Sequence, residues 1–505
     1  MKRGVEPSGF LARGYEDGMF DLRGALFEAA QEHPVSPFLQ HKNACIPFAE
    51  GSPALARIAL QLPSLSGLRV VILLADGLSA ALLHLECFSQ GATIVPLSPF
   101  SPASYVQYAL DRVQPDLVLT TPLLHAKFSS LLNRTSVAVV GPGNPMSFEI
   151  LGKIPLRDLE RPRSPVRAIF FTSGTTGEPK GVCLSENNLL SAAWINRTIL
   201  GLDSSRRSLI TVPLYDYYGC IQLYSHAMAK ASCTIGESGQ FPRSAFTVID
   251  SQAITDIVLV PFTLKALLDY AQNSECDEAR ETFGKVAYVA SSSDHLSPDL
   301  LKSAFLLNPG LTVVNVYGLT EAGRASYRLI VDGASFTTSI GIASPSMTVR
   351  VDALPGKTGE ILISGPTVML GYLQRIADEE IHFMPVTEVR TADEGFVDSG
   401  GEIHLLGRKD HLMSLHGMKL HPSEIEVLVN QVPGVKDSFA HLHQDARGNK
   451  AVVLDLVADQ SSVTQNQILN LLRERVPRVF LPQVINFVEA ISRTEIGGKL
   501  IRPRH

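Results

Sequence analysis

Short apolar runs alternate with longer amphipathic stretches through the N-terminal part of the chain, and this alternation predicts most of its elements. Asp21–Ala30 carries apolar residues at helical spacing. Arg69–Leu74 then reads as a strand, Leu78–Gln90 as a helix and Ala92–Leu97 as a second strand. Strand, helix and strand with short connections predict a right-handed βαβ unit and a parallel sheet. The pattern continues with a helix over Ser104–Arg112 and an extended run over Asp116–Thr121. Strands follow at Ala168–Phe171, Leu209–Pro213, Ile257–Val260, Lys285–Ala290 and Thr312–Val316. Helices at Ile221–Lys230, Leu264–Ala271 and Pro298–Leu306 separate the last four. An α/β body with helices on both faces of its sheets is expected.

After Val349 the texture changes to short strands and turns, such as Glu360–Ile363 and Glu402–Leu406, which predicts a distorted β region. From Lys409 onward the pattern is helix Pro422–Asn430, strand Val452–Val457, helix Val463–Arg475 and strand Gln483–Val488, a small α+β unit. The expected division is therefore 1–408 for a large N-terminal domain and 409–505 for a C-terminal one. At 505 residues the chain exceeds one ordinary core, which agrees.

Composition narrows the class. Hydrophobic content of 45% with 19% charged residues describes a globular chain, and a formal net charge of −6 without a basic run argues against a nucleic-acid partner. The six cysteines form no C-x-x-C pair and fit reduced thiols in a cytoplasm. The N-terminus lacks an apolar signal core. The longest apolar stretch, Val70–Gly91, is broken by Asp76, Gly77, His84 and Glu86, so no membrane span is expected.

Two stretches carry candidate chemistry. The strand Ala168–Phe171 opens into the hydroxyl-rich loop Thr172, Ser173, Gly174, Thr175, Thr176 and Gly177, followed by Lys180. Small residues let backbone N–H groups approach a polyanion, and the lysine adds a mobile positive charge. The loop lacks the spacing of the common P-loop. The second stretch, Tyr317, Gly318, Leu319, Thr320 and Glu321, follows a strand end, where α/β sheets bind ligands. There a tyrosine can stack on a base, a threonine can bond a phosphate oxygen and a glutamate can hold Mg2+.

Together these stretches resemble the signature segments of the adenylate-forming superfamily of acyl- and aryl-CoA synthetases, peptide-synthetase adenylation domains and luciferases. The matches follow in family order over nearly the whole chain. The resemblance implies a large N-terminal domain of parallel α/β sheets with a distorted β subdomain, and a small mobile α+β lid. It implies that the 172–177 loop, Lys180, Tyr317, Gly318 and Thr320 hold ATP, with Thr176 and Glu321 on Mg2+. Ser292, Ser293 and Asp294 resemble the adenine-side segment, with serines where the family carries glycine and alanine. This departure predicts a narrower or more polar pocket. Asp393, after Ala392 in place of the usual glycine, and Arg408 correspond to the ribose-binding residues, and Asp410 to the hinge. Arg493–Lys499 resembles the loop of the catalytic lysine, with one additional residue in its spacing, and Lys499 takes that role. His411, His416 and His421 recur every five residues, a spacing that favours solvated or locally bonded imidazoles over a metal site.

The acid and its acceptor stay open. Pro213–Gly219 corresponds to the segment facing the acid, with Tyr215, Asp216, Tyr217 and Gly219 as candidate substrate residues. A carboxylate at Asp216 beside a substrate pocket is costly to desolvate without a cation, which predicts an amine on one reactant. That amine belongs either to an amino acid substrate or to an acceptor that Asp216 deprotonates as general base. The expected activity is ATP-dependent ligation of an amino or aryl acid to a thiol, either coenzyme A or the phosphopantetheine of a separate carrier protein, in a biosynthetic pathway. Amide bond synthesis, luciferase-like oxidation of the adenylate and a catalytically silent binding module are the alternatives. The sequence does not determine the oligomeric state.

Overall fold

The apolar runs of the N-terminal part form two sheets. The structure, a computed structural model, describes residues 21–491 apart from 63, 76, 134, 142–147, 152–163, 173–178, 237–241, 273–276, 295, 333–338, 355, 378–379, 410–412, 416–417 and 445–449. Contacts divide the chain into two compact units. One comprises Met1–Ser335, Ala343–Thr348 and Ser364–Val389. The other comprises Phe336–Ile342, Val349–Ile363 and Arg390–His505.

In the first unit, one sheet runs in the order Glu380–Pro385, Gly371–Ala377, Lys180–Leu184, Ala168–Thr172, Thr93–Leu97, Arg69–Leu73, Leu117–Thr120, Ser136–Val140 and Phe148–Leu151. Its middle strands pair in parallel, as the βαβ reading predicts. The strands Arg69–Leu73 and Thr93–Leu97 are buried at every position, because helices cover both faces. The helix Leu78–Gln90 stops at Gly91, whose φ of 88° supplies the left-handed cap.

The other sheet of this unit orders Ala44–Pro47, Pro37–His41, Ser232–Ile235, Arg207–Ile210, Asp256–Leu259, Tyr288–Ser292, Thr312–Leu319 and Gly323–Ile330. Pairing is parallel from Pro37–His41 to Thr312–Leu319. It then reverses into the hairpin partner Gly323–Ile330. The strand expected to end at Val316 thus continues to Leu319, and Glu321 sits in a hairpin turn. The expected helix Ile221–Lys230 spans Tyr217–Ala229 instead. Gly219 allows the earlier start, since a Cβ there would lie 2.0 Å from the Pro213 carbonyl oxygen.

The second unit holds the strands Gly359–Ser364, Glu388–Val397 and Ile403–Arg408 of the β-rich region. Its C-terminal segment folds a three-stranded sheet, Val435–Gln444, Lys450–Ala458 and Val484–Phe487, with helices Pro422–Val429 and Gln465–Arg475. Ile425, Val452, Leu454, Ile468, Leu472 and Phe480 pack its core. The strand Val435–Gln444 has no counterpart in the sequence reading, while the other elements lie where the pattern predicts them. Among the described residues no helix is long and apolar enough to cross a membrane. The described cysteines, Cys45, Cys87, Cys183, Cys220 and Cys233, are free thiols.

Candidate functional site

The first unit brings the expected phosphate-side residues together. Thr172 and Lys180 are register partners across the hairpin of Ala168–Thr172 with Lys180–Leu184. The residues between them, Ser173, Gly174, Thr175, Thr176 and Gly177 included, lie outside the described residues. The Tyr108 hydroxyl donates to Pro179 O at 3.0 Å and so fixes the chain just before Lys180.

Glu321 is held from several sides. Met369 N donates to Glu321 O at 2.9 Å, and the Tyr372 hydroxyl donates to Glu321 Oε1 at 3.0 Å. The Asn188 side chain donates to Pro366 O and Val368 O, both at 2.8 Å, which steadies the segment bearing Tyr372. Lys180 Nζ lies 5.2 Å from the Tyr372 ring centroid, within cation–π range. Lys180 and Glu321 form no ion pair with each other or with any other described residue. Tyr372 escaped the sequence reading, because no local pattern ties it to a glutamate 51 residues away.

The hairpin turn depends on two glycines. A Cβ on Gly318 would lie 1.9 Å from Gly323 O. One on Gly323, itself at a φ of +66°, would lie 2.7 Å from Thr367 Cβ. Tyr317 pairs with Ser326 just before the bulge, and Thr320 lies in the turn beside Glu321. At the neighbouring strand end the Ser292 hydroxyl donates to Val316 O at 2.7 Å. Its proton is therefore used within the sheet. Ser293 is exposed with φ of 78°, a conformation that favours glycine, and Asp294 follows it, half-buried.

Tyr215 and Tyr217 are buried, and Tyr217 packs edge-on against Phe170 with centroids 5.6 Å apart. The helix Tyr217–Ala229 is thereby joined to the strand that opens the phosphate-side loop. Asp216 is exposed at the N-cap position and its side chain makes no capping hydrogen bond. The carboxylate is thus open to solvent in this structure. Its charge nonetheless acts locally: burial, and then the negative charge of Asp216, push the Tyr105 hydroxyl up to about 12. Gly219 serves close packing against Pro213.

In the second unit Asp393 and Arg408 are register partners, with Arg408 Nη1 3.7 Å from Asp393 Oδ1. Asp393 is buried, and its N–H donates to Thr391 Oγ1 at 3.0 Å. Ala392, where the resemblance expects glycine, has φ of 59°. Nearby, Arg390 bridges Glu360 and Asp352. His421 is buried, with Nε2 3.0 Å from Glu394 Oε2. Asp410, His411, His416 and Lys499 lie outside the described residues. Among the described residues one cluster, Asp398, Glu402 and His404, has metal-ligand spacing, and it sits at the hairpin between Glu388–Val397 and Ile403–Arg408 of the second unit.

Comparison with known proteins agrees with this arrangement. A family model described as AMP-binding enzyme matches residues 26–373. Indoleacetate–CoA ligase of Aromatoleum aromaticum is 27% identical over 430 residues, 81% of this chain and 82% of its own. Feruloyl-CoA synthase of an Amycolatopsis species is 26% identical over 499 residues, covering 94% and 96% of the two chains. Among solved structures, the amide bond synthetase McbA from Marinactinospora thermotolerans shares the fold with a TM-score of 0.78. It is 20% identical, with 95% of this chain and 97% of that chain covered. With more than half of its length matched, this chain belongs to the AMP-binding enzymes and is an adenylate-forming ligase that draws on ATP.

Proposed function

We propose that this ligase activates an aryl carboxylic acid and passes the acyl group to a thiol, that of coenzyme A in the first instance. A carboxylate is a poor acyl donor because its leaving group would be an oxide. Attack of its oxygen on the α-phosphorus of ATP forms the acyl-adenylate and expels pyrophosphate. The thiol then attacks the acyl carbon and AMP departs.

The observation that carries this reading is the pair Lys180 and Glu321 at Tyr372, neither of them in an ion pair with a described residue. A cation and a carboxylate held close without quenching each other suit a triphosphate and its metal. Lys180 and the 172–177 loop would hold the phosphate oxygens. Glu321, with Thr176, would hold Mg2+, which when bound offsets the repulsion between the two anionic reactants. Tyr317 would stack on the base beside the Ser292–Asp294 segment, and Asp393 and Arg408 would bond the ribose. Lys499 would stabilise the charge developing at the α-phosphate, and residues 409–505 would turn about Asp410 between the two half-reactions.

The exposed position of Asp216 removes the reason to require an amino acid, and relatives named for indoleacetate and feruloyl groups support an aryl acid. The same exposure supports a second reading, amide bond synthesis, in which Asp216 takes a proton from an incoming amine. A separate carrier protein is the other thiol acceptor.

Acid-dependent exchange of labelled pyrophosphate into ATP, over aryl, amino and fatty acids, tests the first half. The adenylated acids are then offered coenzyme A and simple amines. Exchange with aryl acids followed by thioester formation is expected. Exchange confined to amino acids would overturn the acid assignment. Acyl transfer to amines alone would replace the thiol by the amine reading.

A further inference from the structure

Arg324 follows the motif turn by three residues and is buried to 3% exposure. Its guanidinium carbon lies 4.3 Å from the Tyr218 ring centroid. The Nε and Nη2 atoms are both buried and find no hydrogen-bond partner among the described residues, and no described carboxylate pairs with the group. Burial opposes the charge, yet arginine does not give up its proton in proteins. A permanent charge left without a counterion in the interior is strongly destabilising, so a site that keeps one has a use for it.

The surroundings say where this charge points. The Tyr218 hydroxyl lies 3.4 Å from Leu259 O and 3.2 Å from Ala290 O, carbonyls of two neighbouring parallel strands, to which it donates. The Tyr217 hydroxyl is buried without a partner, 2.9 Å from where a Cβ on Gly323 would stand. Arg324 therefore lies between the motif hairpin and the helix whose N-terminal segment was assigned to the acid. Nε–H and one Nη2–H point in parallel from the same edge of the guanidinium, the fork that receives both oxygens of a carboxylate.

We propose that the acid taken by this ligase carries a second carboxylate, which docks in the side-on fork of Arg324 beneath Tyr218 with the Tyr217 hydroxyl beside it. The first carboxylate is left free to attack ATP. This rests on the ligase reading above and names the class of acid within it. The arginine is a specificity residue that distinguishes dicarboxylic from monocarboxylic acids and takes no part in the bond changes.

The test uses matched aryl acids that differ only in a second carboxylate, offered to the parent enzyme and to Arg324→Met and Arg324→Lys. Binding is read by thermal stabilisation and adenylation by pyrophosphate exchange. The parent should prefer the dicarboxylic member of a pair by about 10²-fold or more, as sites built to bond a polar group reject analogues that lack it. Arg324→Met should lose that preference while melting, without ligand, at least as high as the parent. Arg324→Lys should keep a fraction of it, having the charge without the fork. Equal binding of both acids by the parent, or an unchanged preference in Arg324→Met, would overturn the proposal. Dicarboxylic acids that bind through Arg324 but support no exchange would sink the ligase reading and leave the arginine assignment standing.

Discussion

Tyr372 separates the two charges that a nucleotide-binding role requires. Were Lys180 and Glu321 in direct contact, their mutual attraction would have to be broken before either could serve a phosphate or a metal. The hydroxyl instead holds Glu321 by a 3.0 Å hydrogen bond, and the ring faces Lys180. Tyr372→Phe keeps the ring and removes the bond. Hydrogen bonds to charged groups contribute about 1.5–3 kcal/mol, so kcat/KM for pyrophosphate exchange should fall about 10- to 100-fold, with a higher Mg2+ requirement and an unchanged melting temperature. A Mg2+ titration of exchange by the two proteins checks this, and superimposable curves would remove Tyr372 from the site. Glu321 and Lys180 were legible in the sequence because they lie in motifs; Tyr372 belongs to another strand and was not. Ala392 was legible only as a departure from glycine, and Ser293 only as part of a pair that departs from glycine and alanine. Their φ values of 59° and 78° supply the cause, a left-handed backbone costing about 1–2 kcal/mol for a residue with a Cβ.

Among the elements, the parallel strands and their helices were legible because burial on both faces leaves nearly unbroken apolar runs. Antiparallel strands were harder to see. Val435–Gln444, with Lys436, Asp437, His441 and His443, looks polar, and only its pairing with Lys450–Ala458 makes it a strand. The first turn of Tyr217–Ala229 was hidden by Gly219, whose packing role is visible only in three dimensions. That helix also carries a buried polar group with a consequence for stability. His226 is fully buried, with Nδ1 2.7 Å from Gln222 O, and burial pushes it down to about 4 from an ordinary 6.5. Below pH 6.5 the unfolded chain takes up a proton that the folded one refuses, so this contribution is complete above 6.5 and lost as pH falls towards 4. Buried His84, also pushed down to about 4, acts in the same direction. The buried carboxyls of Asp256, raised to about 6, and Glu86, raised by burial, act in the opposite one. The total slope is therefore mixed, but the difference between parent and His226→Gln isolates one proton. Urea unfolding between pH 7 and 4.5 should show the parent losing stability more steeply, by up to about 1.4 kcal/mol per pH unit. Parallel slopes would mean that His226 titrates as freely in the fold as out of it.

At the scale of the whole molecule, the contacts join the C-terminal segment to part of the β-rich region. Arg390 and Lys409 both reach Glu360, and the Thr391 hydroxyl donates to Ile361 O at 2.8 Å. Asp393 and Arg408 thus share a unit with residues 409–505, while Lys180, Tyr372 and Glu321 belong to the other. A sequence pattern marks where texture changes but not which distant strands will pair, so this grouping could not be read from it. It also frames the role proposed for Lys499, whose segment is identified by resemblance alone. If Lys499 acts at the α-phosphate, it matters while the acyl-adenylate forms and not while a thiol displaces AMP. Lys499→Ala should then lower pyrophosphate exchange by about 10²–10³-fold, the usual loss when one preorganised charge is removed from a transition state. ATP should bind as before, and acyl transfer from a chemically prepared acyl-adenylate should continue at the parent rate. Equal losses in both half-reactions would place the lysine at a step they share or in the fold itself. An undiminished exchange rate would return the catalytic role to another cation, with Lys180 the first to be tested.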